Sequence, residues 1–253
     1  MRAMGGNVPI KGFIESSFTD WSGKVAAVLF LPGCNFRCPF CHNRDLVLTP
    51  RIFEDYPLET VIDGLRENEG WLDGVIITGG EPTIHPGLPG LMETIRETGL
   101  MLRLDTNGSR PDVLKSLIEQ GLIDAAAMDV KAPLDAKRYS AASGVPVDVE
   151  LIRESINLLA ESGLEVISRT TVVPGLHDAE SVRAIAGELG GRPLTLQNFR
   201  PADTLDPAFN GIKPFTDEEF SALKECITAE TRRQKCHSER SLWVPRLRSG
   251  RQM

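Results

Sequence analysis

Three cysteines stand close together within residues 29–43: Cys34, Cys38 and Cys41, spaced C-x3-C-x2-C. Three thiolates can hold three irons of a four-iron cluster and leave the fourth iron open. An open metal position is where chemistry takes place. The other two of the five cysteines, Cys226 and Cys236, lie far downstream, and a second metal site from those two alone is not expected. Zinc is the structural competitor, with His42 as an imagined fourth ligand. His42 directly follows Cys41, which makes joint tetrahedral ligation awkward, and zinc ligands usually come as two spaced pairs. His42 is therefore expected to hydrogen-bond near a cluster sulfur or to cap the loop. Phe40, between the last two cysteines, would shield one side of the cluster or belong to the core.

A second candidate is the run Gly79-Gly80-Glu81-Pro82. Paired glycines let backbone approach a ligand closely, and Glu81 supplies an acceptor suited to an ammonium group. Alone the run is weak, because Gly-Gly turns before proline are common. Its place directly after an apolar segment raises it.

The elements that must position these residues follow from hydrophobic spacing. Six short apolar runs, at 25–31, 75–78, 102–105, 125–129, 165–173 and 194–199, suit parallel strands covered on both faces. Between them lie stretches with helical spacing. They carry Leu58, Val61, Ile62 and Leu65; Leu88, Leu91, Met92 and Ile95; and Val113, Leu114, Leu117 and Ile118. Further sets are Ile152, Ile156 and Leu159, then Val182, Ile185 and Leu189, then Phe220, Leu223 and Ile227. The alternation implies an α/β fold of βαβ crossovers. A partial barrel and an open doubly wound sheet both fit this spacing.

Polar residues gather where the strands end: the cysteine loop, Gly79–Glu81, Asp105 to Gly108, Asp129 and Lys131, Arg169, and Gln197 with Asn198. In a parallel sheet or barrel all these ends share one face, and that face carries the active site. Residues 201–216 read as a long loop at the same face, either a lid or partner contact or a plain connector. Trp21 and Trp71 are expected in the core, as is Cys226, and Trp243 is expected to anchor the tail. His85, His177 and His237 are expected to make loop hydrogen bonds.

The chain of 253 residues carries a formal charge of −7, which argues against a polyanion binder and makes nucleic acid an unexpected partner. No apolar run is long enough to span a membrane, and residues 1–12 contain no secretory apolar region. Three clustered cysteines out of five do not make a disulfide framework. A reducing cytoplasm is the expected compartment. Residues 1–230 read as a single domain with a short N-terminal extension, and 231–253 as a basic tail rich in arginine.

The cysteine spacing, Phe40 and the Gly-Gly-Glu-Pro run together resemble the radical S-adenosylmethionine (SAM) superfamily. The segments "FTDWSGKVAAVLFLPGCNFRCPFCHN", "GGEPT", "DTNG", "MDVKAP", "RTTVVPG" and "LQNFRP" extend the likeness to activating enzymes of glycyl radical proteins. Within that branch they are most similar to activators of anaerobic ribonucleoside-triphosphate reductase. The likeness covers roughly residues 11–215.

The resemblance implies a partial (β/α)6 barrel, one 4Fe-4S cluster and SAM as cofactors. It implies a glycyl radical enzyme as protein substrate, and reduced flavodoxin or a ferredoxin-type protein as electron donor. In that family the open iron binds SAM, and reductive cleavage yields a 5′-deoxyadenosyl radical that removes a hydrogen atom from the substrate. Cys34, Cys38 and Cys41 would ligate the cluster. Gly79, Gly80 and Glu81 would receive the SAM amino group, and Asn107 would join the SAM contacts. Asp129 and Lys131 would lie near the ribose and methionine ends, Arg169 would pair with the carboxylate, and Val172 and Val173 would pack near the adenine. Asp105 and Asp129, with the backbone at Thr106 and Met128, would form a site for a monovalent cation beside the SAM carboxylate. Many such activases carry extra cysteines after the first motif; residues 42–78 contain none, so a single cluster is expected. The alternatives are a radical SAM enzyme acting on a small molecule, peptide or RNA, and a non-catalytic metal-binding protein.

Overall fold

The computed structural model describes residues 8–241, without the side chains of 229 and 231–241. One seven-stranded sheet runs in chain order from β1 to β7. The strands are β1 Gly12–Ser17, β2 Ala26–Leu31, β3 Gly74–Gly79, β4 Met101–Thr106, β5 Ala125–Asp129, β6 Glu165–Val172 and β7 Leu194–Asn198. β1 pairs antiparallel with β2, and β2 through β7 are parallel to their neighbours. The result is an open, partial barrel of six parallel strands with one added edge strand. The six parallel strands match the six apolar runs. β1 escapes that reading because its sequence, GFIESS, puts half-buried and exposed residues on an edge.

The long helices are α2 Leu58–Glu67, α3 Leu88–Arg96, α4 Pro111–Glu119, α6 Val149–Glu161, α7 Ala179–Glu188 and α8 Asp217–Ser241. Two shorter helices, α1 Arg44–Leu48 and α5 Ala136–Ser143, bury too few residues to show a period. Acceptors at helix starts fix the entry angles: Asp135, Asp148 and Asp178 each accept from a backbone N–H of the first turn. Thr216 and Glu219 exchange side-chain to backbone bonds ahead of α8, a reciprocal cap.

Alternation along each strand splits the side chains into two layers. Leu29, Leu31, Val75, Ile77, Leu102, Leu104, Ala126 and Val172 point to the helices and form the main core. The opposite face lines the barrel interior. Its lower end is plugged by Trp21, which packs with Ala26, Val28, Ile76 and Ala125 and donates its indole N–H to Glu165 at 2.9 Å.

Trp71, expected in the core, is 76 % exposed. It sits in the turn after α2, and the inward place goes to Leu72 instead. Trp243 and Arg246, Arg248 and Arg251 of the tail lie outside the described residues. Arg232, Arg233, Lys235, Cys236, His237 and Arg240 fall where only the backbone of α8 is described. No helix among the described residues is long and apolar enough to cross a membrane.

Candidate active site

The cysteine loop leaves β2 through Pro32 and Gly33 and is gripped by its neighbours' backbones. Gly80 N–H donates to Leu31 O and Glu81 N–H to Gly33 O, both at 2.8 Å. A Cβ at Gly80 would lie 1.7 Å from Gly33 O, so only glycine permits this approach. Gly79 is at φ +115°, against the Leu31 backbone. The paired glycines thus let the two loops dock, and both line the same cavity as the cysteines. On the other side Leu205 N–H donates to Cys41 O and Asp206 N–H to Pro39 O. Residues 201–216 therefore strap the cysteine loop, around the short 3-10 turn Pro207–Gly211.

Cys34, Cys38 and Cys41 line one cavity of about 490 Å³ together with Phe40, Gly79, Gly80, Glu81, Asp105, Asn107, Asp129, Lys131 and Arg169. Cys34 Sγ accepts from Phe36 N–H at 3.3 Å and from Asn107 Nδ2 at 3.9 Å. Burial pushes the Cys34 thiol up to about 11 and the Cys38 thiol to about 12, and raises Cys41 as well. Such thiols stay protonated until a metal's charge displaces the proton. Among the described residues no three His, Cys, Asp or Glu side chains converge on a single ion. Three thiols around one cavity offer ligands for three irons of a four-iron cluster. His42 takes no part: it stacks on Phe199 at 6.0 Å and its Nε2 meets Arg200 O.

The interior face of β4, β5 and β6 carries a ladder of alternating charge. Arg103 donates to both oxygens of Asp105, at 2.8 and 3.3 Å. Arg169 bridges Asp105 Oδ2 at 3.1 Å and Asp129 Oδ1 at 2.8 Å. Lys131 Nζ donates to Asp129 Oδ2 at 3.1 Å. Burial alone would raise Asp129, but the charges of Lys131 and Arg169 outweigh it and hold the carboxyl down at about 2. Burial would likewise lower Lys131 and Arg169, and the Asp129 charge beside each pushes both well above their ordinary values.

Glu81 is buried at 1 % exposure. Its carboxylate accepts from Thr83 N–H and Oγ1, Thr106 Oγ1 and Asn107 N–H. Burial still raises its pKa. Glu81 thus ties the Gly-Gly-Glu loop to the loop after β4, and Asn107 continues that tie to Asn35 at 2.9 Å. His177 accepts from Val173 N–H on Nδ1 and donates from Nε2 to Lys131 O. This holds the backbone that presents Lys131. His85 likewise meets Pro32 O.

Val172, opposite in phase to inward Arg169 and Thr171, is fully buried in the helix-facing core, and Val173, just past the end of β6, is fully buried in the same core. The monovalent cation expected at Asp105 and Asp129 meets carboxylate oxygens already engaged by Arg103, Arg169 and Lys131. Sequence reasoning also missed Arg103 and Asp20, both cavity residues. The signal was available for Arg103, two positions before Asp105 and so on the same strand face.

A family model of the radical SAM superfamily matches residues 28–186. The chain belongs to the radical SAM superfamily. A Methanocaldococcus jannaschii protein named "putative glycyl-radical enzyme activating enzyme" is 32 % identical over 227 residues, covering 85 % of this chain and 89 % of its own. The pyruvate formate-lyase-activating enzyme of Streptococcus mutans is 25 % identical, covering 88 % of this chain and 93 % of its own. A 7-carboxy-7-deazaguanine synthase of Methanopyrus kandleri is 30 % identical, covering 65 % and 80 %. Among solved structures, Streptococcus suis SuiB bound to S-adenosylmethionine shares the fold with a TM-score of 0.62 at 18 % identity, covering 82 % of this chain and 49 % of that one. As a radical SAM protein the chain is matched to a 4Fe-4S cluster and SAM, and the thiol-lined cavity fits that pair.

Proposed function

We propose that this chain is an activating enzyme that cleaves SAM reductively and generates a glycyl radical on a partner protein. The likeness to an activating-enzyme relative over 85 % of the chain carries the reading. The preferred partner is an anaerobic ribonucleoside-triphosphate reductase, on the sequence motifs named above. A reduced flavodoxin or ferredoxin-type protein would supply the electron, in the cytoplasm.

The cluster and SAM together supply the carbon-centred radical. The chain's own residues bind and orient. Cys34, Cys38 and Cys41 hold three irons. Lys131 and Arg169 offer fixed positive charge to the carboxylate of SAM, Arg169 with the planar fork suited to it. Asp129 keeps both cations in place, and Glu81 with Asn107 fixes the loops around the ligand. Phe40, at 5 % exposure, closes one wall of the cavity against water.

The test is electron paramagnetic resonance after anaerobic mixing of reconstituted enzyme, SAM, reductant and the candidate reductase. A glycine-centred doublet on the reductase is the expected result. A second reading, a radical enzyme acting on a small molecule, draws on the likeness to the deazaguanine synthase and on a cavity within the usual size for small ligands. Deoxyadenosine release with a metabolite and no partner radical would decide for it.

A further inference from the structure

We infer that Arg103 takes the place of a metal cation beneath the SAM site, so that SAM binding and cleavage by this chain need neither potassium nor sodium. A cation site at Asp105 and Asp129 requires carboxylate oxygens free to converge on an ion. Here each oxygen already accepts a charged donor. Arg103 holds Asp105 through Nε and Nη2, Arg169 holds Asp105 and Asp129, and Lys131 holds the last oxygen. Three fixed cations face two carboxylates, and a further cation placed among them would be repelled by all three.

Arg103 is built in, not a visitor. It is 2 % exposed. Its Nη1 donates to Asp20 O at 2.6 Å, and its guanidinium lies over the Trp21 ring, 5.4 Å from the centroid. Glu165, below that ring, is shared with Trp21 and Lys24, which leaves Asp105 as the carboxylate Arg103 serves. Held on the chain by these contacts, the Arg103 guanidinium cannot exchange with solvent as an ion would. Arg103 is a positioning residue: it neutralises Asp105, and through Asp105 it sets where Arg169 presents its remaining donors.

The test measures the SAM dissociation constant of anaerobically reconstituted enzyme by calorimetry, with deoxyadenosine release under reductant as a second readout. Both are compared in potassium, sodium, lithium and tetramethylammonium chloride at equal ionic strength. The wild type is expected to bind SAM within about twofold in all four salts, since no ion is part of its site. Arg103→Met should bind roughly tenfold more weakly in tetramethylammonium and recover most of that in potassium or sodium, because Asp105 is then free to take an ion. Arg103→Lys keeps a charge and should stay indifferent to the salt. Several-fold tighter SAM binding by the wild type in potassium or sodium overturns the inference. So does a folded Arg103→Met that binds like the wild type in every salt. Should Arg103→Met fail to fold, the wild type and Arg103→Lys decide alone: salt dependence in either overturns the inference, and its absence from both supports it. No partner protein enters the assay, so a failed glycyl radical test leaves this result standing.

Discussion

The same strands have two unlike faces. On β4, Leu102 and Leu104 face the helices and are fully buried among apolar neighbours, while Arg103 and Asp105 face the interior and are ion-paired. On β6, Val172 faces out and Arg169 faces in. The outer face is stabilised by burial of apolar area, at roughly 25 cal/mol per Å². The inner face carries buried charge, which seldom stabilises a fold relative to an apolar replacement. A fold that keeps such a face on several adjacent strands keeps it for ligands, and the thiols open onto the same cavity. The comparison therefore predicts a separation: inner changes should abolish chemistry at the smaller cost to the fold, and outer changes should cost the fold more than the chemistry.

The sharpest separation is expected from Cys38→Ala. Deoxyadenosine formation should vanish and reconstituted protein should lose its brown colour. Urea unfolding of the metal-free chain should move by no more than about 1 kcal/mol, as no cavity of consequence or unpaired charge results. An unfolded Cys38→Ala chain would break the comparison. Next comes Leu104→Ala on the outer face, 0 % exposed in the main core. It should cost about 3 kcal/mol by the same unfolding measurement, while the folded fraction still binds SAM with unchanged affinity. Weakened binding in the folded fraction would show that the two faces are not independent.

Legibility in the sequence follows the same division. The outer layer announces itself, because continuous apolar runs and helical spacing report burial directly; all six parallel strands and the six longer helices were readable. The cysteine loop was readable from thiol spacing alone. What the sequence hides is partnership. Nothing in Gly79-Gly80 says which backbone comes close, here the carbonyl of Gly33. Arg103 reads as a charge inside an apolar strand, but its bond to Asp20 O spans 83 positions. Glu81 reads as an acceptor, but the sequence does not show its donors on the loop after β4. β1, at an edge with mixed polarity, gives no periodic signal at all.

A subtler probe is acid. Asp129 titrates at about 2 in the folded chain, below its ordinary 3.8, since Lys131 and Arg169 outweigh the cost of burial. The unfolded chain therefore takes up this proton first as pH falls. The stability that Asp129 contributes is complete above pH 3.8 and is lost as pH drops toward 2. With a side chain still 31 % open to the cavity, the amount should be about 1–2 kcal/mol after allowance for solvent screening. Comparing Asp129→Asn with the wild type across that window checks it. The variant should lack this acid-dependent component, and an identical acid profile would mean that the inner charges do not couple to folding.

The smallest effect should come from His177, which joins the two faces. Its ring is buried at 4 % exposure, and burial lowers its pKa from the ordinary 6.5 in spite of the bond to Lys131 O. Nδ1 must stay unprotonated to accept from Val173 N–H. As pH falls through 6.5 the unfolded chain binds a proton that the folded chain refuses, so stability declines with falling pH from that point. This loss begins well above the Asp129 window and should be smaller than it. Because His177 also holds the carbonyl of Lys131, SAM affinity should weaken over the same range as the clamp loosens. His177→Gln keeps a donor for Lys131 O and removes the titration. It should remove the His177 component, centred on the fall through pH 6.5, from both profiles. A flattened stability profile with an unaltered affinity profile would confine His177 to the scaffold and separate it from the ligand face.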